Sequence, residues 1–218
     1  MVGHSTHKEK EVPFVNIANL SLYYDETGKG YPIVLIHGGF SDITEWNPQR
    51  DVLGQHYRVI RYDRRGCGHS VPKNVPQLSD LWVEDLREFM LSLGLEKAYM
   101  GGVSYGGMLL IEFLIKYQSM CKAAIIVSAT GRGMQKTSQN GMYFPNRLSE
   151  LSTITIPTLV VQATEDHIFP PEHGEEISQN IPGSELVVLN GGHTINNDCY
   201  ATFNKAVLDF LGRVDLQT

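Results

Sequence analysis

Short runs of β-branched and aromatic residues alternate with stretches of helical period along most of this chain, and few architectures are compatible with that alternation. Residues 14–17 and 20–26 are strand-like, separated by Ala18-Asn19, and read as an antiparallel hairpin. After the turn Gly28-Lys29-Gly30 comes Ile33-Val34-Leu35-Ile36, a continuous apolar run that suits a strand covered on both faces. Further strands are expected at 57–62, 97–101, 123–128, 158–162 and 185–189. Between them, residues 80–93 place Trp82, Leu86, Phe89, Met90 and Leu93 on one helical stripe stopped by Gly94. Other helices are expected from Tyr105, near 172–179 and at about 199–211. Strands alternating with helices imply an α/β fold with a mostly parallel sheet and helices on both faces.

The 218 residues, 42% hydrophobic, can bury one full core, and nothing marks a second. A single domain is expected over 12–214. The polar, mixed-charge residues 1–11 lack the apolar centre of a secretory signal and read as a loose tail. Against 24 acidic residues stand 18 basic ones, a net charge of −6, with no block of like charge able to track a phosphate backbone. Nucleic acid is therefore not an expected partner. No apolar run approaches the ~20 residues that span a bilayer. Cys67, Cys121 and Cys199 are odd in number and have no Cys-x-x-Cys spacing, which fits free thiols in the cytoplasm.

Gly102-Val103-Ser104-Tyr105-Gly106 lies where an expected strand turns into an expected helix. Small neighbours permit a sharp turn there, which pushes the Ser104 hydroxyl into the open. A hydroxyl is a weak nucleophile at neutral pH and needs a base, which in turn needs an orienting group. In a parallel sheet such groups collect beyond the carboxyl ends of strands. His193, in Asn190-Gly191-Gly192-His193, follows the last expected strand, and Glu165-Asp166 follows the one before it. Asp166 would accept the imidazole Nδ1 hydrogen bond and fix the tautomer; Glu165 is the competing acid. The remaining histidines lack such a pattern, and His37 reads as structural. There is no His-Glu-x-x-His, no His-x-His and no Gly-x-Gly-x-x-Gly opening a helix, so neither a metal nor another cofactor is expected.

The chain order Ser, Asp, His, each member after a strand, resembles the α/β-hydrolase fold family of esterase, lactonase and perhydrolase type. The similarity is carried by Leu35-Ile36-His37-Gly38-Gly39-Phe40, by Tyr62-Asp63-Arg64-Arg65-Gly66-Cys67-Gly68-His69-Ser70, by the serine turn, by Pro157-Thr158-Leu159-Val160-Val161 with Asp166 and Pro170, and by Gly192-His193. It implies that the acid lies four residues before a proline, which selects Asp166. It also implies an oxyanion hole made by the backbone N–H groups of Tyr105 and Gly39, with Phe40 the less favoured donor. Phe40 and Phe169 are taken as side chains that contact substrate. Serine at the turn separates this chain from relatives that resemble it but carry aspartate there.

Members of that group usually insert a helical cap between the strand after the serine helix and the strand leading to the acid. Here only a short loop, 131–147, replaces it, with Met134, Met142, Tyr143 and Phe144 as its sizeable apolar residues. The expected activity is that of a lidless serine carboxylesterase acting on small or aryl esters through an acyl-enzyme. Lactone, peracid and carbon–carbon bond chemistry are the alternatives, and a ligand-binding member without turnover is the non-enzymatic one. An uncovered site could also be closed by a second copy of the chain.

Overall fold

The computed structural model describes residues 13–76, 78–134 and 143–216; the tail expected at 1–11 and Met142 lie outside the described residues. Among the described residues eight strands form one sheet: β1 (Phe14–Ile17), β2 (Leu20–Thr27), β3 (Pro32–Ile36), β4 (Arg58–Tyr62), β5 (Ala98–Val103), β6 (Cys121–Val127), β7 (Thr158–Ala163) and β8 (Glu185–Leu189). Their spatial order is β1-β2-β4-β3-β5-β6-β7-β8. The β1–β2 and β2–β4 pairs are antiparallel and every later pair is parallel, so the expected hairpin opens an otherwise parallel sheet.

Among the described residues six α-helices cover the sheet: α1 (Asn47–Leu53), α2 (Ser79–Ser92), α3 (Tyr105–Tyr117), α4 (Pro171–Asn180), α5 (Ile195–Asp198) and α6 (Tyr200–Asp215). Two cores result from the alternation of strand side chains. Val34, Ile36 and Met100 pack with Leu86, Phe113 and Ile177 from α2, α3 and α4, whereas Ile33, Leu35 and Tyr99 pack with Leu53 from α1 and Phe203, Val207 and Phe210 from α6. Each fully buried Leu or Phe in these layers contributes roughly 1.5–3 kcal/mol of transfer free energy.

The helix after β3 and the helix after β5 thus lie on opposite faces, although the two strands are neighbours. The chain parts at their carboxyl ends and leaves a crevice there, the place where open α/β sheets bind ligands. Helix α1 was not anticipated. Its sequence NPQRDVL has no apolar period because one of its two buried residues is Gln49, whose Nε2 donates to Asn196 O at 2.7 Å and to Asn204 Oδ1 at 3.0 Å.

The segment expected as a loop at 131–147 is described over 131–134 and 143–147. Its base is pinched: Met134 and Phe144 exchange backbone hydrogen bonds of 2.8 and 3.1 Å, and Arg147 N–H donates to Gly131 O at 2.8 Å. The Phe144 ring is buried against Trp82 and Tyr105, with centroids 5.7 and 5.8 Å away.

Candidate active site

Strand β5 is buried along its whole length and ends at Val103; the next residue, Ser104, takes φ 53° and ψ −118°. A left-handed φ on a residue other than glycine is strained and persists only where the surroundings enforce it. Here Ser104 N–H donates to Val127 O at 2.9 Å, and Met108 N–H returns to Ser104 O at 3.0 Å as α3 begins. The flanking glycines answer to crowding. A Cβ on Gly102 would lie 2.2 Å from Gly106 O, and one on Gly106 would lie 2.3 Å from Ile36 O. We expect Gly106→Ala to lower the unfolding free energy by about 1–3 kcal/mol in urea denaturation. Wild-type stability in that variant would contradict so close a crossing of α3 over β3.

Asp166 follows β7 and is 2% exposed, while Glu165 beside it faces solvent. One Asp166 oxygen, Oδ1, accepts the N–H groups of Ile168 and Phe169, both at 2.9 Å. The other, Oδ2, lies 2.8 Å from His193 Nδ1. Burial pushes the Asp166 carboxyl up, but the hydrogen bonds from His193, Phe169 and Ile168 together with the imidazole charge outweigh it, and the net shift is downward. Asp166 is therefore an acceptor only, so His193 carries its proton on Nδ1 and leaves the Nε2 lone pair free. That Nε2 is 2.9 Å from Ser104 Oγ. Residues separated by 89 and 27 positions in the chain meet in one hydrogen-bonded line.

Phe169, expected to touch substrate, is largely buried. Its ring stands edge-on to His193 with centroids 5.6 Å apart, and its carbonyl accepts from Gln162 Nε2 at 2.8 Å, so it braces the acid turn and the imidazole. Phe40 is 81% exposed at φ 57°, its ring 6.3 Å from that of Tyr105.

Gly39 and Tyr105, the residues expected to supply the oxyanion donors, are in close contact. A Cβ on Gly39 would come within 2.5 Å of the Tyr105 ring, and one on Gly38 within 3.4 Å of Ser104 Cβ. Tyr105 is the first residue of α3, where a helix leaves its N–H groups without intrahelical partners. Among the described residues nothing accepts a hydrogen bond from the N–H of Gly39 or of Tyr105. No group of three His, Cys, Asp or Glu is placed to hold a metal ion among the described residues.

Two buried groups, His37 and Arg64, and the half-buried Glu45 hold the loop that carries Gly39. His37 Nε2 accepts the Arg64 N–H at 3.0 Å, which places the ring proton on Nδ1, where it donates to Gly38 O at 2.8 Å. Glu45 Oε2 accepts the Gly38 N–H at 2.5 Å, and Arg64 Nη2 donates to Gly38 O at 2.6 Å. Burial raises the Glu45 carboxyl above its usual range, against the opposing pull of the Gly38 N–H, Ser41, Arg64 and His193. Neither Arg64 nor Glu45 was singled out in the sequence as a site residue, because a charged residue in a polar segment reads as solvated.

Burial, followed by the charge of Arg64, holds the His37 imidazole well below its ordinary value, despite the opposing bond to Gly38. A depressed pKa means that the unfolded chain binds the proton first, so the stability this group contributes is present above ~6.5, its unfolded pKa, and is lost as pH falls. Unfolding free energy should drop by up to ~1.4 kcal/mol per pH unit below that point. In His37→Gln the slope between pH 6.5 and 5.5 should be shallower; equal slopes in denaturant titrations would exclude His37 as the titrating group.

Residues 31–150, more than half of the chain, match the family model described as alpha/beta hydrolase fold. The chain belongs to this family. Residues 135–217 match a second model, described as TAP-like protein. Among solved structures, the enol-lactonase from Burkholderia xenovorans superposes on this hydrolase-family chain with a TM-score of 0.86 at 22% identity, covering 92% of this chain and 100% of that one. A thermophilic esterase from Thermogutta terrifontis gives 0.82 at 24% identity over 89% of this chain and 94% of its own. Among curated proteins, the proline iminopeptidase of Clostridioides difficile is 36% identical over 102 residues, 45% of this chain and 35% of its own length. The relatives matched at 32–36% identity are matched over 35–46% of their length, so the chain spans less than half of each of them. No helix among the described residues is long and apolar enough to cross a membrane.

Proposed function

We propose that this chain is a serine carboxylesterase that cleaves small or aryl esters through an acyl-enzyme. The observation that carries the reading is the line Ser104 Oγ, His193 Nε2, His193 Nδ1, Asp166 Oδ2, with links of 2.9 and 2.8 Å. In this reading His193 Nε2 takes the serine proton as Ser104 Oγ attacks the ester carbonyl, and Asp166 holds the imidazolium that forms. The carbonyl oxygen becomes an anion at the N–H groups of Gly39 and Tyr105. His193 then gives its proton to the leaving alcohol, and afterwards draws one from the water that releases the acid.

In this proposal the short 131–147 segment takes the place of the cap that the family resemblance implies, and the exposed side chains of Phe40 and Ile168 support wide acyl acceptance. A second copy of the chain is the proposed cover for that rim. Three free cysteines support a reducing, cytoplasmic setting.

Nitrophenyl esters from acetate to dodecanoate, compared with lactones and with peroxide as acceptor, test the reading in wild type and His193→Ala. We expect turnover across several chain lengths that is lost in His193→Ala. A sharp short-chain optimum would contradict the open pocket, and preference for a lactone or for peroxide would move the assignment to those chemistries. Binding with no turnover would leave a receptor.

A further inference from the structure

The guanidinium of Arg64 is 2% exposed, yet no carboxylate accepts a hydrogen bond from it among the described residues. Its Nε donates to His37 O at 3.2 Å and its Nη2 to Gly38 O at 2.6 Å; Nη1 has no partner, and the Trp82 ring lies 4.6 Å from its central carbon. A buried cation without an ion-paired acceptor costs stability, and an apolar side chain of similar volume would be expected to serve the core better. What the arginine does accomplish is local. It and His37 Nδ1 both hold Gly38 O, while Glu45 holds the Gly38 N–H from the other end of the same residue.

The only cis peptide bond among the described residues is Val71-Pro72, so the Gly38–Gly39 bond is trans. In a trans peptide the carbonyl and the following N–H point in opposite directions. Fixing Gly38 O against Arg64 therefore turns the Gly39 N–H away from Arg64, and no described residue accepts it.

We propose that Arg64 is a positioning residue of the oxyanion hole: it aims the Gly39 N–H through the Gly38 carbonyl and, as a permanent cation on that carbonyl, strengthens the amide as a donor. Glu45 is its counterpart on the Gly38 N–H. This inference rests on the esterase reading of Ser104, His193 and Asp166. A hydrogen bond at a carbonyl polarises the whole amide, so the effect is felt most when negative charge develops on the substrate oxygen and hardly in ground-state binding.

The test compares wild type, Arg64→Met and Arg64→Lys for kcat and KM on nitrophenyl acetate, together with inhibition by an aryl trifluoromethyl ketone, whose serine adduct carries an oxyanion. Arg64→Met should lower kcat about 10- to 100-fold with KM within about two-fold, somewhat less than the loss of an oxyanion donor itself. Ketone affinity should fall by the same factor as kcat/KM, with the melting temperature equal to or above that of wild type. Arg64→Lys should fall between, because an ammonium keeps the charge but not the planar fork. A folded Arg64→Met with wild-type kcat, or with only KM raised, overturns the proposal.

Should Arg64→Met fail to fold, the Glu45 pair decides. Glu45→Ala, which removes the acceptor of the Gly38 N–H, should lose kcat about 10-fold at unchanged KM, and Glu45→Gln, which keeps a weaker neutral acceptor, should lose less. Equal kcat in both sinks the idea. Wild-type turnover with no effect of these substitutions rejects the positioning role alone, whereas absence of wild-type turnover rejects the esterase reading and this inference with it.

Discussion

Ser104→Ala should reduce nitrophenyl ester hydrolysis by about 10⁴- to 10⁶-fold and abolish labelling by an organophosphonate probe, the scale seen when the serine of such an array is removed. The fold should survive the change. The hydrogen bonds that hold the elbow, to Val127 O and from Met108 N–H, belong to the backbone, and the hydroxyl contacts only His193 Nε2 among the described hydrogen-bond partners. The strained φ of 53° is the same burden for alanine as for serine. An unchanged melting temperature with lost labelling would identify the hydroxyl as the reacting group. A variant retaining more than about a tenth of the wild-type rate would mean that another nucleophile does the chemistry, since serine removal is expected to cost orders of magnitude more.

Asp166→Asn should cost about 10⁴ in kcat through the proton alone. Its side-chain oxygen can still accept the Ile168 and Phe169 N–H groups, so the turn after β7 keeps its shape. The amide nitrogen, however, is a donor facing His193 Nδ1 across a 2.8 Å gap. The imidazole must then carry its proton on Nε2, where it cannot receive one from Ser104. Binding of a non-hydrolysable ester analogue should be nearly unchanged. Parallel kcat measurements for Asp166→Asn and Glu165→Gln would separate the two neighbouring acids, because Glu165 faces solvent and its replacement should leave kcat as it is. A large effect from Glu165→Gln and none from Asp166→Asn would reverse the assignment.

The sheet was legible because strands such as Ile33 to Ile36 are short continuous apolar runs, and because α2 keeps one apolar stripe and α3 is largely apolar. Helix α1 was not, since a polar side chain, Gln49, serves as its core contact and erases the period. The positions of Ser104, Asp166 and His193 could be read because each follows a strand on the same rim. The choice between Glu165 and Asp166 came from likeness to a family, and the difference in their burial could not be seen in two adjacent acids. Arg64 and Glu45 left no trace in the pattern. The burial of Arg64 and the half-burial of Glu45 arise from the crossing of the β3, β4 and β5 ends, which no local spacing encodes.

The pinch at Met134 and Phe144, reinforced by the Arg147 N–H on Gly131 O, has a bearing on how such a chain changes over time. Whatever length of polypeptide lies between those anchors begins and ends at the same spot on the scaffold. The entropy of closing it grows only with the logarithm of its length, by roughly 0.6 kcal/mol per doubling. A longer or shorter insert between these anchors therefore changes the closure cost little and leaves the paired base in place. On the proposed esterase reading, the part that does chemistry is then separate from the part that chooses its molecules, and the second can be exchanged while the first stays put.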